Sequence, residues 1–212
     1  MTRAAFLIDG FNIYHSLLSA TVALDGAGTR WLDIRSFCES FLSGIGGGAR
    51  LESVAYFSSP ARHLEAHRPQ SMDRQAMYLE CLRDTGVRVE MAHFRKKPLR
   101  CPLCAGRIIQ HEEKQTDVAI AAMLFELFQL DRCDVAVLVT GDSDLVPAIR
   151  TAVRLFPGKR VHSCFPYDRV SDELRQVASG HSKVSATHYL KHQFPDPFMT
   201  RAGQLIAKPE GW

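Results

Sequence analysis

Two hydrophobic periods alternate along this chain, and that alternation limits the folds open to it. Strand-like runs occupy residues 4–9, 51–57, 87–91, 134–139 and 160–165, with a weaker one at 183–186, and most are continuously apolar or β-branched. Continuous runs of this kind suit strands covered on both faces, as in parallel sheets, rather than strands with one wet face. Helical patterns lie between them at residues 11–20, 34–43, 71–85, 115–130, 145–155 and 172–178. Strand–helix alternation predicts an α/β fold with a mainly parallel sheet and right-handed crossovers. Gly44-Ile45-Gly46-Gly47-Gly48, Gly86 and Pro157-Gly158 punctuate the elements.

With 212 residues, 46% of them hydrophobic, the chain can bury one good core and is short for two. One domain over residues 1–187 is expected, carrying an insertion at about 93–112, followed by an aperiodic C-terminal tail at 188–212 with Pro195, Pro197 and Pro209. A net charge of +3 is compatible with a polyanionic partner but does not select one. No run reaches the roughly 18 apolar residues of a membrane span, and Asp9 interrupts the N-terminal run before a signal-peptide core can form. A cytoplasmic protein with no membrane partner is the expectation; a homo-oligomer is compatible with the sequence. Without a secretory signal, the isolated Cys38, Cys81, Cys133 and Cys164 are read as reduced thiols.

Acidic residues stand where such a sheet gathers them. Asp9 ends the run Ala4-Ala5-Phe6-Leu7-Ile8, Asp142 and Asp144 follow Val135-Ala136-Val137-Leu138-Val139-Thr140-Gly141, and Asp117 opens an apolar helix. In open α/β folds, functional groups collect beyond the carboxyl ends of the strands. Asp9-Gly10-Phe11-Asn12 places a carboxylate and a carboxamide where both can face one pocket. Hard divalent cations need such oxygen ligands, and a magnesium or manganese phosphodiester site is one reading. Helix capping is the other, since Asp suits an N-cap. Two acids around Ser143 crowd charge at one turn, which favours the site reading there. Asp117 alone reads as an ordinary first-turn acid.

Phe6-Leu7-Ile8-Asp9-Gly10-Phe11-Asn12, Glu113-Lys114-Gln115-Thr116-Asp117 and Val139-Thr140-Gly141-Asp142-Ser143-Asp144-Leu145-Val146-Pro147-Ala148-Ile149 occur in that order. The ordered set resembles the NYN domain of the PIN-like nuclease superfamily over about residues 4–186. The resemblance implies a Rossmann-like three-layer α/β/α fold whose acids hold Mg2+ or Mn2+ for endonucleolytic cleavage of RNA, with DNA as the alternative polymer. Carried over by motif, Asp9, Asp117, Asp142 and Asp144 are the catalytic, metal-binding acids, with Asn12 and Ser143 supporting. Hydrolysis would then use a metal-activated water and no protein nucleophile. The further acid that the family often carries near the last strand is replaced by Ser179-Gly180-His181.

The insertion holds Cys101-Pro102-Leu103-Cys104, the spacing of a metal knuckle, and with His93 and His111 it can supply a tetrahedral structural Zn2+ site. A metal-free or redox pair is the alternative. Arg95, Lys96, Lys97 and Arg100 make the segment basic, and with Lys114 they are candidate contacts to an RNA backbone, with Phe94 as a stacking surface. Two rivals compete with the ribonuclease. A haloacid-dehalogenase-type phosphatase expects a second acid two residues after Asp9, where this chain has Phe11. A nucleic-acid-binding regulatory module with a nuclease-like fold and little activity retains every feature named above.

Overall fold

The structure is a computed structural model describing residues 1–60, 69–100 and 107–212, and only the backbone within 93–100 and 107–114. The elements run β1 (Arg3–Asp9), α1 (Gly10–Ala23), α2 (Ile34–Glu39), α3 (Leu42–Ile45), β2 (Arg50–Ser58), α4 (Ser71–Asp84) and β3 (Arg88–Met91). A hairpin of β4 (His93–Arg100) and β5 (Arg107–Lys114) precedes α5 (Thr116–Gln129). Then come β6 (Val135–Val139), a single 3-10 turn (Ser143–Leu145), α6 (Val146–Leu155), β7 (Arg160–Phe165), α7 (Asp172–Val177), β8 (Gly180–Lys183) and α8 (Ala186–Leu190). A small hairpin of β9 (Phe198–Met199) and β10 (Leu205–Ile206) follows near the C-terminus.

Six strands pair in the order β3-β2-β1-β6-β7-β8, every pair parallel. The pleat sends successive side chains to opposite faces. On β1, Ala4, Phe6 and Ile8 enter one core while Ala5 and Leu7 enter the other, and on β6 Val135, Val137 and Val139 divide from Ala136 and Leu138 in the same way. The first core is closed by α1, α2 and α4, the second by α5, α6 and α7. α5 shows why its sequence is helical here: Ile120, Leu124 and Phe128, spaced by four, are its buried stripe. The result is the expected three-layer α/β/α arrangement with an all-parallel central sheet.

Some expectations are corrected. The helix read at 34–43 is two short helices, α2 and α3. The weak strand read at 183–186 lies earlier, as β8, because Ser185 is already the extended N-cap of α8. The C-terminal segment read as an appended tail is part of the fold: Tyr189, Phe194, Phe198 and Ile206 are buried in the first core, and Trp212 packs on Trp31 and Tyr78. These aromatics are too irregularly spaced to form a periodic pattern, yet each fills a gap under the helices. Cys38, Cys81, Cys133 and Cys164 are buried free thiols, as expected, and burial pushes Cys133 and Cys164 each up to about 12.

Chain order places a reversal between β1 and β6. From β1 the sheet grows outward through β2 and β3, then resumes on the other side of β1 with β6. The carboxyl ends of β1 and β6 therefore open a crevice at the switch point, where α/β sheets bind ligands.

Candidate metal and phosphodiester site

Asp9 is the last residue of β1 and is 2% exposed. Its Oδ1 accepts from the backbone N–H of Asn12 at 3.0 Å, which caps α1, and its Oδ2 accepts from Asn12 Nδ2 at 2.7 Å and from Thr140 Oγ1 at 2.9 Å. Thr140 Oγ1 in turn accepts from the N–H of Asp142 at 3.0 Å, and Asn12 Oδ1 accepts from the N–H of Gly141 at 3.1 Å. These bonds sew the loop after β6 to the loop after β1. Capping and site geometry thus coexist in the same carboxylate. Asp142 likewise caps the 3-10 turn, its Oδ1 accepting from the N–H of Asp144 at 3.0 Å.

Two glycines permit further close approaches around these loops. A Cβ on Gly10 would stand 2.4 Å from the Phe57 carbonyl oxygen, and one on Gly141 would stand 2.2 Å from that of Arg169. Neither backbone can shift cheaply, so the start of α1 lies against the end of β2, and the loop after β6 against the loop after β7, only because both positions lack side chains.

Asp117 arrives from another direction. Gln115 takes a left-handed conformation (φ 81°) between β5 and α5, and the turn sets Asp117 in the first turn of α5. One carboxylate oxygen from each of Asp9, Asp117 and Asp142 lies within 4.8 Å of the others. Oxygens across a magnesium coordination shell of 2.0–2.1 Å bonds are ~4 Å apart, so this all-oxygen set has the chemistry and nearly the spacing of a hard-cation site. Three carboxylates this close repel one another, and a divalent cation relieves that repulsion.

Asp144 is exposed and does not join the group; its described contact is the backbone bond to Asp142. Ser143 lies at the rim of a neighbouring cleft. The hairpin carries Arg95, Lys96, Lys97 and Arg100 on β4 and ends with Lys114, immediately before Gln115. In its register, His93 pairs with Lys114 and His111 with Lys96, three pair positions apart. Cys101 and Cys104, the other half of the expected zinc set, lie outside the described residues, as do the side chains of the hairpin.

Thr140 joins this site through its bond to Asp9, and Phe11, His15 and Arg169 line the neighbouring cleft; none of the four was singled out as a site residue from the sequence. Thr140 had a signal, since a hydroxyl at a strand end beside an acidic turn can bond across to the next strand. Phe11 and His15, at i and i+4 on α1, also had one. Arg169 had none, because only the fold brings the loop after β7 to this crevice.

The NYN domain model matches residues 3–185. This chain belongs to the NYN domain family. NYN domains have a nuclease-like fold and their members are typically nucleases that use divalent metals on nucleic acid, which agrees with the acidic group seen here. No curated protein matches the chain. A protein of unknown function from Vibrio parahaemolyticus is similar in structure, with 17% identity over 87% of this chain and 93% of that one and a TM-score of 0.54, a likeness of fold alone. MurG from Acinetobacter baumannii is more distant, at 11% identity over 93% of this chain and 44% of that one with a TM-score of 0.37. Among the described residues of this NYN protein, no helix is long and apolar enough to cross a membrane.

Proposed function

We propose that this NYN protein is a metal-dependent endoribonuclease whose Mg2+ or Mn2+ is held by Asp9, Asp117 and Asp142. The observation that carries the reading is the convergence of these three acids, from three separate segments, at the switch point of the sheet. When bound, the ion would supply an activated water and neutralise charge on the phosphate oxygens and the leaving group. Asn12 and Thr140 hold Asp9 in one orientation through the bonds described above, so the ligand geometry is set before any ion arrives. Asp144 takes an outer place, adding negative potential at the rim, and Ser143 supports the turn. The basic residues Arg95, Lys96, Lys97, Arg100 and Lys114 belong to the segment leading into Asp117, which suits them to attract an RNA backbone toward the acids.

The test is cleavage of end-labelled single-stranded RNA with Mg2+ or Mn2+, a chelator control and purified Asp142→Asn protein. Cleavage that needs the metal and falls at least ~100-fold in the variant is expected, as for loss of a principal charged group in a catalytic site. Absence of cleavage across several RNAs, with RNA binding retained, would overturn the enzyme reading in favour of a binding module with a nuclease-like fold.

A further inference from the structure

Beside the acidic group lies a second cleft of about 340 Å3, lined by Phe11, Asn12, His15, Gly141, Asp142, Ser143 and Arg169. It shares Phe11, Asn12 and Asp142 with the smaller cleft that holds Asp9 and Asp117, so the two are one continuous surface. Its chemistry differs from that of the acids. Phe11 leaves 47% of its surface exposed and packs edge-to-face on His15 with ring centroids 4.4 Å apart. Arg169 supplies a guanidinium with no carboxylate within ion-pair distance among the described residues, and its Nε is buried with no hydrogen-bond partner. Burial, with Arg169 beside it, holds the His15 ring below its ordinary pKa, leaving Arg169 as the cleft's fixed positive charge.

The cleft is built rather than incidental. The loop bearing Arg169 is tied to α1: Ser16 Oγ donates to the Tyr167 carbonyl at 2.7 Å, and the Tyr167 N–H donates to Tyr189 Oη at 3.2 Å. The same Tyr189 hydroxyl lies 2.7 Å from Ser16 Oγ. Gly141 closes the loop from the other side, where the Arg169 carbonyl leaves no room for a Cβ. Cation, aromatic face and acids are therefore held in one frame before a ligand arrives.

We propose that this cleft is a nucleotide subsite that takes the residue adjoining the scissile phosphate of single-stranded RNA, its base against Phe11 and His15 and its phosphate on Arg169. The proposal rests on the ribonuclease reading for the word scissile. An exposed aromatic suits an unstacked base of any identity, and a planar guanidinium suits a phosphate. A continuous duplex cannot offer an unstacked base, so single strands are preferred.

The experiment is fluorescence anisotropy of a labelled single-stranded RNA, in chelator so that nothing turns over, across a range of salt concentrations. Wild type, Phe11→Ala, Arg169→Ala and Arg169→Lys are compared, with thermal melts to establish folding. Phe11→Ala should weaken binding at least ~5-fold, as for loss of one stacked base. Arg169→Ala should weaken it and reduce the logarithmic salt slope by about 0.7, whereas Arg169→Lys restores the slope. Folded Phe11→Ala and Arg169→Lys proteins with wild-type affinity and an Arg169→Ala slope equal to wild type would overturn the subsite, as would a wild type that binds no RNA. Metal-dependent cleavage alongside unchanged affinities would leave the ribonuclease standing without this subsite. Affinity losses in a protein that never cleaves would keep the subsite and remove the ribonuclease.

Discussion

The Asp9 carboxylate is fixed by Asn12 on both oxygens and by Thr140 on one, while a third contact line runs from Asn12 to the N–H of Gly141. Asn12→Ala removes the donor to Asp9 Oδ2 and the acceptor for Gly141. It should reduce cleavage more than it reduces stability, with a stability cost of about 1–3 kcal/mol measurable by urea unfolding. Gly10→Ala should cost a similar amount through collision with the Phe57 carbonyl. An unchanged unfolding midpoint in Gly10→Ala would contradict the close packing described. Asp9 and Asp142 were legible in the sequence because each ends or follows a continuous apolar run. Asp117 was legible only through the resemblance, since a first-turn acid looks the same whether or not a site lies opposite. Asp144 looked equivalent to Asp142 in sequence, but the 3-10 turn leaves it exposed outside the group. Its replacement by Asn should therefore harm cleavage less than Asp142→Asn.

Among the elements, α8 and the turn after it are held on α2 by two histidines. His192 Nδ1 and Ser36 Oγ are 2.9 Å apart, His188 Nε2 and Ser40 Oγ are 2.8 Å apart, and the two rings contact each other and Phe37. Burial lowers both pKa values beneath the ordinary histidine value, with His192 and Lys191 adding to the effect at His188 and Asp33 opposing it at His192. A lowered folded pKa means the fold prefers the neutral ring. That contribution is complete above about pH 6.5 and is lost as the pH falls through the folded values. Melting temperature should decline from pH 7 to pH 5, and the decline should be shallower in a His188→Gln, His192→Gln double variant. Equal slopes would contradict this coupling. At the other end of the sheet the relevant window is more acidic. Arg3 donates to Asp134 from its backbone N–H and from the side chain, holding that carboxyl well below its usual range, so its stabilisation is present above about pH 4 and fades below it. The pair is substantially exposed, so solvent screens it and it contributes little to stability. β1, β2, β3, β6, β7 and most helices were legible from period alone, whereas the β4–β5 hairpin, β9, β10 and α8 were not, and β8 was displaced: the short apolar content of α8 is set by what lies beneath it, not by a repeat.

Over the whole molecule, the parallel sheet brings acids from residues 9, 117 and 142 to one crevice, and the C-terminal segment packs into the first core. Phe194 packs against Trp31, Tyr78 and Phe198, so Phe194→Ala should destabilise the protein by about 3–5 kcal/mol, far more than a tail residue could. The fold class followed from alternation, but the C-terminal packing did not, because irregular aromatics acquire meaning only against a surface already built. The proposed cation site draws its ligands from three carboxylates distant in sequence. Titration of Mn2+ into wild-type and Asp117→Asn protein, followed by the electron paramagnetic resonance signal of free Mn2+, addresses it most directly. A site present in wild type and lost or weakened at least ~10-fold in the variant is predicted; Mn2+ binding identical in the two proteins would contradict the account.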